Sequence, residues 1–205
     1  MGNYSLFPLF LALGITSPAL SAEAYGTTTC TLNNNVAAGV KNDVAFPLSC
    51  IIRFKFGQQP ELPPFDLIWY DGGMKPPAPE ELLNQNESLK PEGMMFVGDK
   101  GKIIAGFRGE EPVLIRDGKK EVITIGIGTD PAQRATDIWI GSFKNNTKSP
   151  GSFLNAGPVT ETILLGGVAL RARKRVDYDS AAMKITNNAD ANKYLTREYR
   201  KGWEL

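Results

Sequence analysis

The chain has no histidine, and its 205 residues include only two cysteines, Cys30 and Cys50. Zinc takes its ligands from clusters of Cys, His and carboxylates, so no metal site is expected. One bridge would not make a disulfide framework in a chain this long. Cys50 falls in a strand pattern, where a buried free thiol is expected. Excess charge is missing too: Lys+Arg 23 against Asp+Glu 22 gives a formal +1. The longest basic run, Arg171-Ala172-Arg173-Lys174-Arg175, follows an apolar helix pattern, where cations suit the negative end of the helix dipole. No nucleic-acid partner is expected from this balance.

The glycine motifs of nucleotide binding are also absent. Gly126-Ile127-Gly128 is not followed by the rest of a Gly-x-Gly-x-x-Gly fingerprint, so no dinucleotide-binding domain is expected and this chain alone should bind no cofactor. Gly98-Asp99-Lys100-Gly101-Lys102 lacks the spacing and the Ser/Thr of a P-loop, and reads as a hairpin turn. The apolar run from Leu6 to Leu13 is too short to span a bilayer, and no membrane partner is expected.

What is present suffices for one domain over residues 1–205, since 42% of the residues are hydrophobic. Cys50 to Phe56 alternates as a strand with one buried face, Phe65 to Tyr70 forms a second, and the two should pair antiparallel. Met94 to Val97 and Lys102 to Ala105 flank the Gly98 turn. Val113 to Ile115 and Val122 to Ile125 flank a second hairpin at Arg116 to Lys120. Asn33-Asn34-Asn35 reads as a loop or edge excursion, and Pro79 to Leu83 as a short helix. Helices follow: one capped by Asp130 and opened by Pro131, one opened by Pro158 and running from Val159 to about Arg171, and one from Asn188 to Tyr199. Gly166-Gly167 should weaken the second of these unless something packs closely there. Strands first and helices later argue an α+β fold: an open, mostly antiparallel sheet with helices packed on one face.

Residues 1–24 allow two readings. The apolar run with Ala19-Leu20-Ser21-Ala22 after it resembles a signal peptide cleaved after Ala22, although no Lys or Arg precedes the run. Alternatively Leu6, Phe10 and Leu13 belong to a buried helix stopped by Gly14. The first would make the protein secreted. The second leaves a cytoplasmic or periplasmic location open.

The chemistry concentrates in Trp69-Tyr70-Asp71-Gly72-Gly73-Met74-Lys75-Pro76-Pro77, a strand end that breaks into a glycine turn and a stiff proline segment. Trp69 and Tyr70 offer an aromatic face and a hydroxyl, Asp71 two acceptors and Lys75 a cation, the mix of a carbohydrate pocket. The plainer alternative makes Trp69 core, Tyr70 edge and Asp71 a turn former.

Taken with Gly98-Asp99-Lys100-Gly101-Lys102, Thr160-Glu161-Thr162-Ile163-Leu164-Leu165-Gly166 and Tyr199-Arg200-Lys201-Gly202-Trp203, this loop resembles the C-terminal domain of the Gfo/Idh/MocA family of nicotinamide-dependent sugar oxidoreductases, which has an NAD-using glycosidase branch. The likeness runs over nearly the whole chain, with the N-terminal Rossmann domain absent. It implies a substrate-binding and oligomerisation domain with NAD(P) used only by the full-length protein, a sugar or sugar derivative as substrate, and a homo-oligomer formed through the open sheet face. Met1, Gly2, Pro8, Ala12, Leu13 and Gly14 also match a family segment that favours the embedded helix. In that segment the family's His position holds Tyr4 and its Asp position holds Phe7, so no catalytic residue is assigned. Tyr4, Trp69, Tyr70, Asp71 and Lys75 are the candidate substrate contacts. Tyr178, Asp179 and Asn187 resemble family positions with structural roles. The alternative from a different class is a secreted, non-catalytic carbohydrate-binding module.

Overall fold

The computed structural model describes residues 2–40, 44–124 and 135–203. In chain order the strands are β1 (Ser21–Gly26), β2 (Cys30–Asn33), β3 (Val36–Gly39), β4 (Cys50–Phe56), β5 (Phe65–Asp71), β6 (Met94–Gly98), β7 (Gly101–Ala105), β8 (Val113–Arg116), β9 (Lys119–Val122), β10 (Val176–Asp179) and β11 (Lys184–Ile185). The helices are α1 (Phe7–Ala12), led by a π-helical turn over Gly2–Leu6, then α2 (Glu80–Leu83), α3 (Ala135–Lys144) and α4 (Phe153–Ala172). A 3₁₀ helix covers Ala189–Tyr194. The α+β class with open antiparallel sheets is the class expected from the sequence. Where the sequence suggests one domain over 1–205, the described residues group into two compact units: residues up to Leu9 with Lys75–Ala156, and Phe10–Met74 with Gly157 onward.

The second unit is built on the strand order β11-β10-β1-β4-β5, with every neighbour antiparallel. Alternation in β4 sends Cys50, Ile52, Phe54 and Phe56 to one face, and each is buried. Ala22 and Ala24 of β1 stand opposite Phe54 and Ile52 on that face, small enough to let a helix approach. The helix is α4, whose Val159, Thr162, Leu165, Gly166, Val168 and Ala169 are buried. A Cβ at Gly166 would lie 2.8 Å from Phe54 Cζ and 3.3 Å from Ile52 Cδ1. The close packing that could offset a mid-helix glycine is therefore present. At the far end of the sheet Phe56 stacks on Phe65 at 4.7 Å and meets Phe10 edge-on at 5.7 Å. By length and composition α4 would also pass as a membrane span, but here its buried residues meet the sheet.

α1 runs to Ala12 and is followed by a turn. Leu6 is 3% exposed and Phe10 2%, and Gly14 follows at φ +61°. Ala22, the second residue of β1, is 1% exposed and paired with Phe54 on one side and Val176 on the other, so cutting after it would divide the strand.

Several elements differ from the sequence reading. α4 begins at Phe153, five residues before Pro158, because the carbonyl that Pro158 leaves without a helical donor belongs to Leu154, which is exposed to water. The helix expected from Asn188 to Tyr199 stops at Tyr194 as a 3₁₀ helix. The Asn192 side chain competes with the helix, accepting from Ile185 N–H at 2.9 Å and donating to the Ile185 and Ala189 carbonyls. The Asn33 excursion is a two-residue hairpin between β2 and β3, with Asn34 at φ 49° and Asn35 at φ 62°, the values of a type I′ turn.

The first unit carries the meander β6-β7-β8-β9. Gly98 pairs with Gly101 across the expected turn. Asp117 (φ 51°) and Gly118 (φ 70°) close the next hairpin, which lets β9 start at Lys119, three residues before the expected Val122. α3 carries Ile138, Trp139 and Phe143, all three exposed; the cap at Asp130 and Pro131 and the Gly126-Ile127-Gly128 string lie outside the described residues.

Candidate functional site

Because side chains alternate along β5, the residues that are adjacent in Trp69-Tyr70 are separated in space. Trp69 stands opposite Ile52, on the face that α4 covers, and is half-buried there. Tyr70 stands opposite Ile51 on the other face, and Tyr25 of β1 flanks Ile51 from the far side. That outer face continues as rows Glu23–Arg53–Ile68 and Ser21–Lys55–Asp66. Arg53 Nε donates to Asp66 Oδ2 at 3.0 Å, and Tyr25 OH donates to Glu23 Oε1 at 2.8 Å. The Glu23 carboxylate raises the Tyr25 phenol above its ordinary range through that bond.

Asp71 lies on the inner side, opposite Cys50, and its Oδ1 accepts the Gly72 N–H at 2.8 Å. Burial first, and the Asp71 charge second, push the Cys50 thiol up. Gly72 (φ +67°) is irreplaceable by geometry, since a Cβ there would lie 2.1 Å from the Leu48 carbonyl oxygen and 2.6 Å from Ser49 Cα. Ser49 Oγ also donates to the Gly72 carbonyl at 3.0 Å, fastening the turn to the chain that leads into β4. Gly73 (φ +83°) has open space around it.

Within the second unit, Trp69, Tyr70 and Asp71 therefore do not converge on one pocket. Trp69 and Tyr70 face opposite ways, and Asp71 spends one oxygen on its own turn. Lys75 belongs to the first unit, where its Nζ donates to the Leu89 carbonyl at 2.7 Å. The backbone of Tyr4 sits in the N-terminal π-helical turn, and its side chain lies outside the described residues. The polar groups that strand β5 does bring together are those of the outer face, which the sequence reading named only through Tyr70. Its alternation was legible; the strand order that adds Tyr25 and Glu23 was not.

Two further groupings carry charge. Glu161 of α4 accepts from Tyr178 OH at 3.2 Å, and burial, with Glu161 as the next cause, pushes the Tyr178 phenol up to about 12. A phenol held protonated stabilises the fold fully below its unfolded value near 10, and that contribution is lost as the pH rises through 12. Glu161 is thus a structural acceptor. In the first unit the tips of the β6–β7 and β8–β9 hairpins border an open depression of about 580 Å³. Its Lys102 Nζ is held by both Glu81 oxygens at 2.9 Å, and Lys100, Arg116, Asp99 and Asp117 also line it, so both signs of charge meet there. Among the described residues no cluster of three or more His, Cys, Asp or Glu could hold a metal ion.

No family model, no curated protein and no solved structure matches this chain.

Proposed function

We propose that this chain is the substrate-binding and oligomerisation domain of a Gfo/Idh/MocA-type oxidoreductase acting on a sugar or sugar derivative, inactive on its own. The observation that carries the reading is the second unit's sheet: α4 on one face, and on the other an uncovered surface where Tyr25, Ile51, Ile68 and Tyr70 surround Arg53. A sheet face of mixed aromatic, aliphatic and paired charged groups suits a second copy of itself. The β5 end, with Tyr70 and Asp71, supplies the hydroxyl and the acceptor for a sugar.

The chain's own residues do not fit the nicotinamide cofactor of the full-length family. The glycine turn after β5 runs into Pro76 and Pro77, not into the N-terminus of a helix that could take a pyrophosphate. Calorimetric titration should accordingly give no NAD(H) affinity tighter than about millimolar, the level of ~4 kcal/mol that a formed site would exceed.

Sedimentation tests the face directly. The chain should associate at high micromolar concentration, and Ile68→Glu, a charge placed at a 44% exposed position on that face, should shift sedimentation toward smaller species than the parent without lowering the melting temperature. A monodisperse monomer in the parent chain would defeat the interface. Asp71→Asn should keep the fold, because an amide oxygen still accepts the Gly72 N–H, while weakening binding of any sugar that uses the charge. If it melts like a turn mutant and leaves binding untouched, Asp71 is structural only.

A further inference from the structure

The β2–β3 ribbon is the one described sheet that buries nothing: all eight strand residues are exposed, Leu32 at 77% and Val36 at 67%. A two-stranded hairpin of this size is marginal by itself in water, and three or more strands are needed to hold one. Its ladder is fixed by the type I′ turn. Asn33 and Val36 flank that turn, and the Val40 N–H donates to the Thr29 carbonyl at 2.7 Å, so Asn33, Thr31 and Thr29 turn their backbone groups inward. The alternate residues Cys30 and Leu32 therefore point their N–H and C=O groups out along the free edge of β2.

Natural edges are normally guarded by charge or proline. β5 carries Asp66 and Asp71, β9 carries Lys119, Lys120 and Glu121, and β11 carries Lys184; the edge strand β6 (Met94–Gly98) has no charge either, but its Met94, Met95 and Phe96 are half-buried. The stretch from Thr27 to Val40 has no charged residue and no proline. β2 is also the better strand of the two, since Thr28 to Leu32 favours extended backbone while β3 is Val-Ala-Ala-Gly. We propose that the free edge of β2 pairs antiparallel with β2 of a second copy of this chain, joining two ribbons into one four-stranded sheet. The two-fold arrangement sets Thr31 against its own counterpart, a favourable cross-strand pair, and leaves no charge in the seam. A strand bearing charged side chains would gain no counter-ion here. This contact is separate from the outer sheet face of the proposed function, and the two stand or fall apart.

Cys30 reports on it, being exposed while Cys50 is buried. A short bis-maleimide added to the full-length chain at micromolar concentration should give a band at twice 22.3 kDa. Leu32→Pro removes only the outward N–H, and Leu32→Lys adds the missing guard charge; both should lose the band and shift sedimentation toward smaller species. Leu32→Thr keeps the edge and should retain the band, as should Ile68→Glu. Absence of the band in the parent chain overturns the proposal. So does its persistence in both Leu32→Pro and Leu32→Lys, or its loss in Ile68→Glu alone, which would transfer the contact to the sheet face. Circular dichroism of each variant excludes unfolding as the cause, and if Leu32→Pro unfolds, Leu32→Lys decides.

Discussion

Gly72→Ala is expected to destabilise the second unit by about 2 to 4 kcal/mol, read as a fall in the midpoint of urea unfolding. Two costs combine. The left-handed φ of +67° takes about 1 kcal/mol from any residue with a Cβ. The new methyl would also sit 2.1 Å from the Leu48 carbonyl oxygen, and that obstacle is backbone, held by Ser49 Oγ on the Gly72 carbonyl. Neither side can yield without moving the start of β4. Gly73→Ala is the built-in comparison, with φ +83° but nothing within 4 Å of its Cβ, so it should cost only about 1 kcal/mol. Equal losses at the two glycines would show that the close approach to Leu48 carries no weight.

The second large effect lies under α4. Phe54 is 0% exposed, and truncating it to Ala should cost about 3 to 5 kcal/mol through lost burial and the cavity left between β4 and the helix. Gly166→Ala works on the same contact from the other side. Alanine gains about 1 kcal/mol in helix propensity over glycine, but its methyl would lie 2.8 Å from the Phe54 ring, and overpacking of this kind costs about 1 to 3 kcal/mol. A net loss is expected. Combined with Phe54→Leu, which withdraws the ring edge, Gly166→Ala should lose less than the two single changes added together. Strict additivity would mean that the helix and ring do not constrain each other as the geometry says.

Much of this architecture was legible before any coordinates. Period-two alternation marked β4 and β5 and their buried faces, and Gly98 to Gly101 marked a hairpin, because both signals are local and steric. The Asn192 interruption was not legible, since it depends on Ile185 coming within reach through the β10–β11 pairing. The early start of α4 was hidden by Pro158, which usually opens helices but is tolerated here beside an exposed turn. The candidate site was read least well. Trp69 and Tyr70 are neighbours in sequence, and the same alternation that identified their strand places them on opposite sides of it. Tyr25 and Glu23 join Tyr70's face only because β1 lies next to β4, a pairing with no local signature.

That central position of β1 also sets an order of events during synthesis. The strand emerges ahead of β4 and β5, which can join it soon afterwards. Its other neighbour, β10, lies beyond the whole intervening meander, and the Ala19 N–H finds Thr162 only across 143 residues of chain. Until α4 and β10 have left the ribosome, the apolar side of β1, β4 and β5 lacks the cover of α4, with only Phe10 of α1 against its far end. The sheet's first three strands must therefore wait exposed while the meander is made, which gives slow completion from distant contacts and a period in which a chaperone, or another nascent chain, can occupy the place kept for α4.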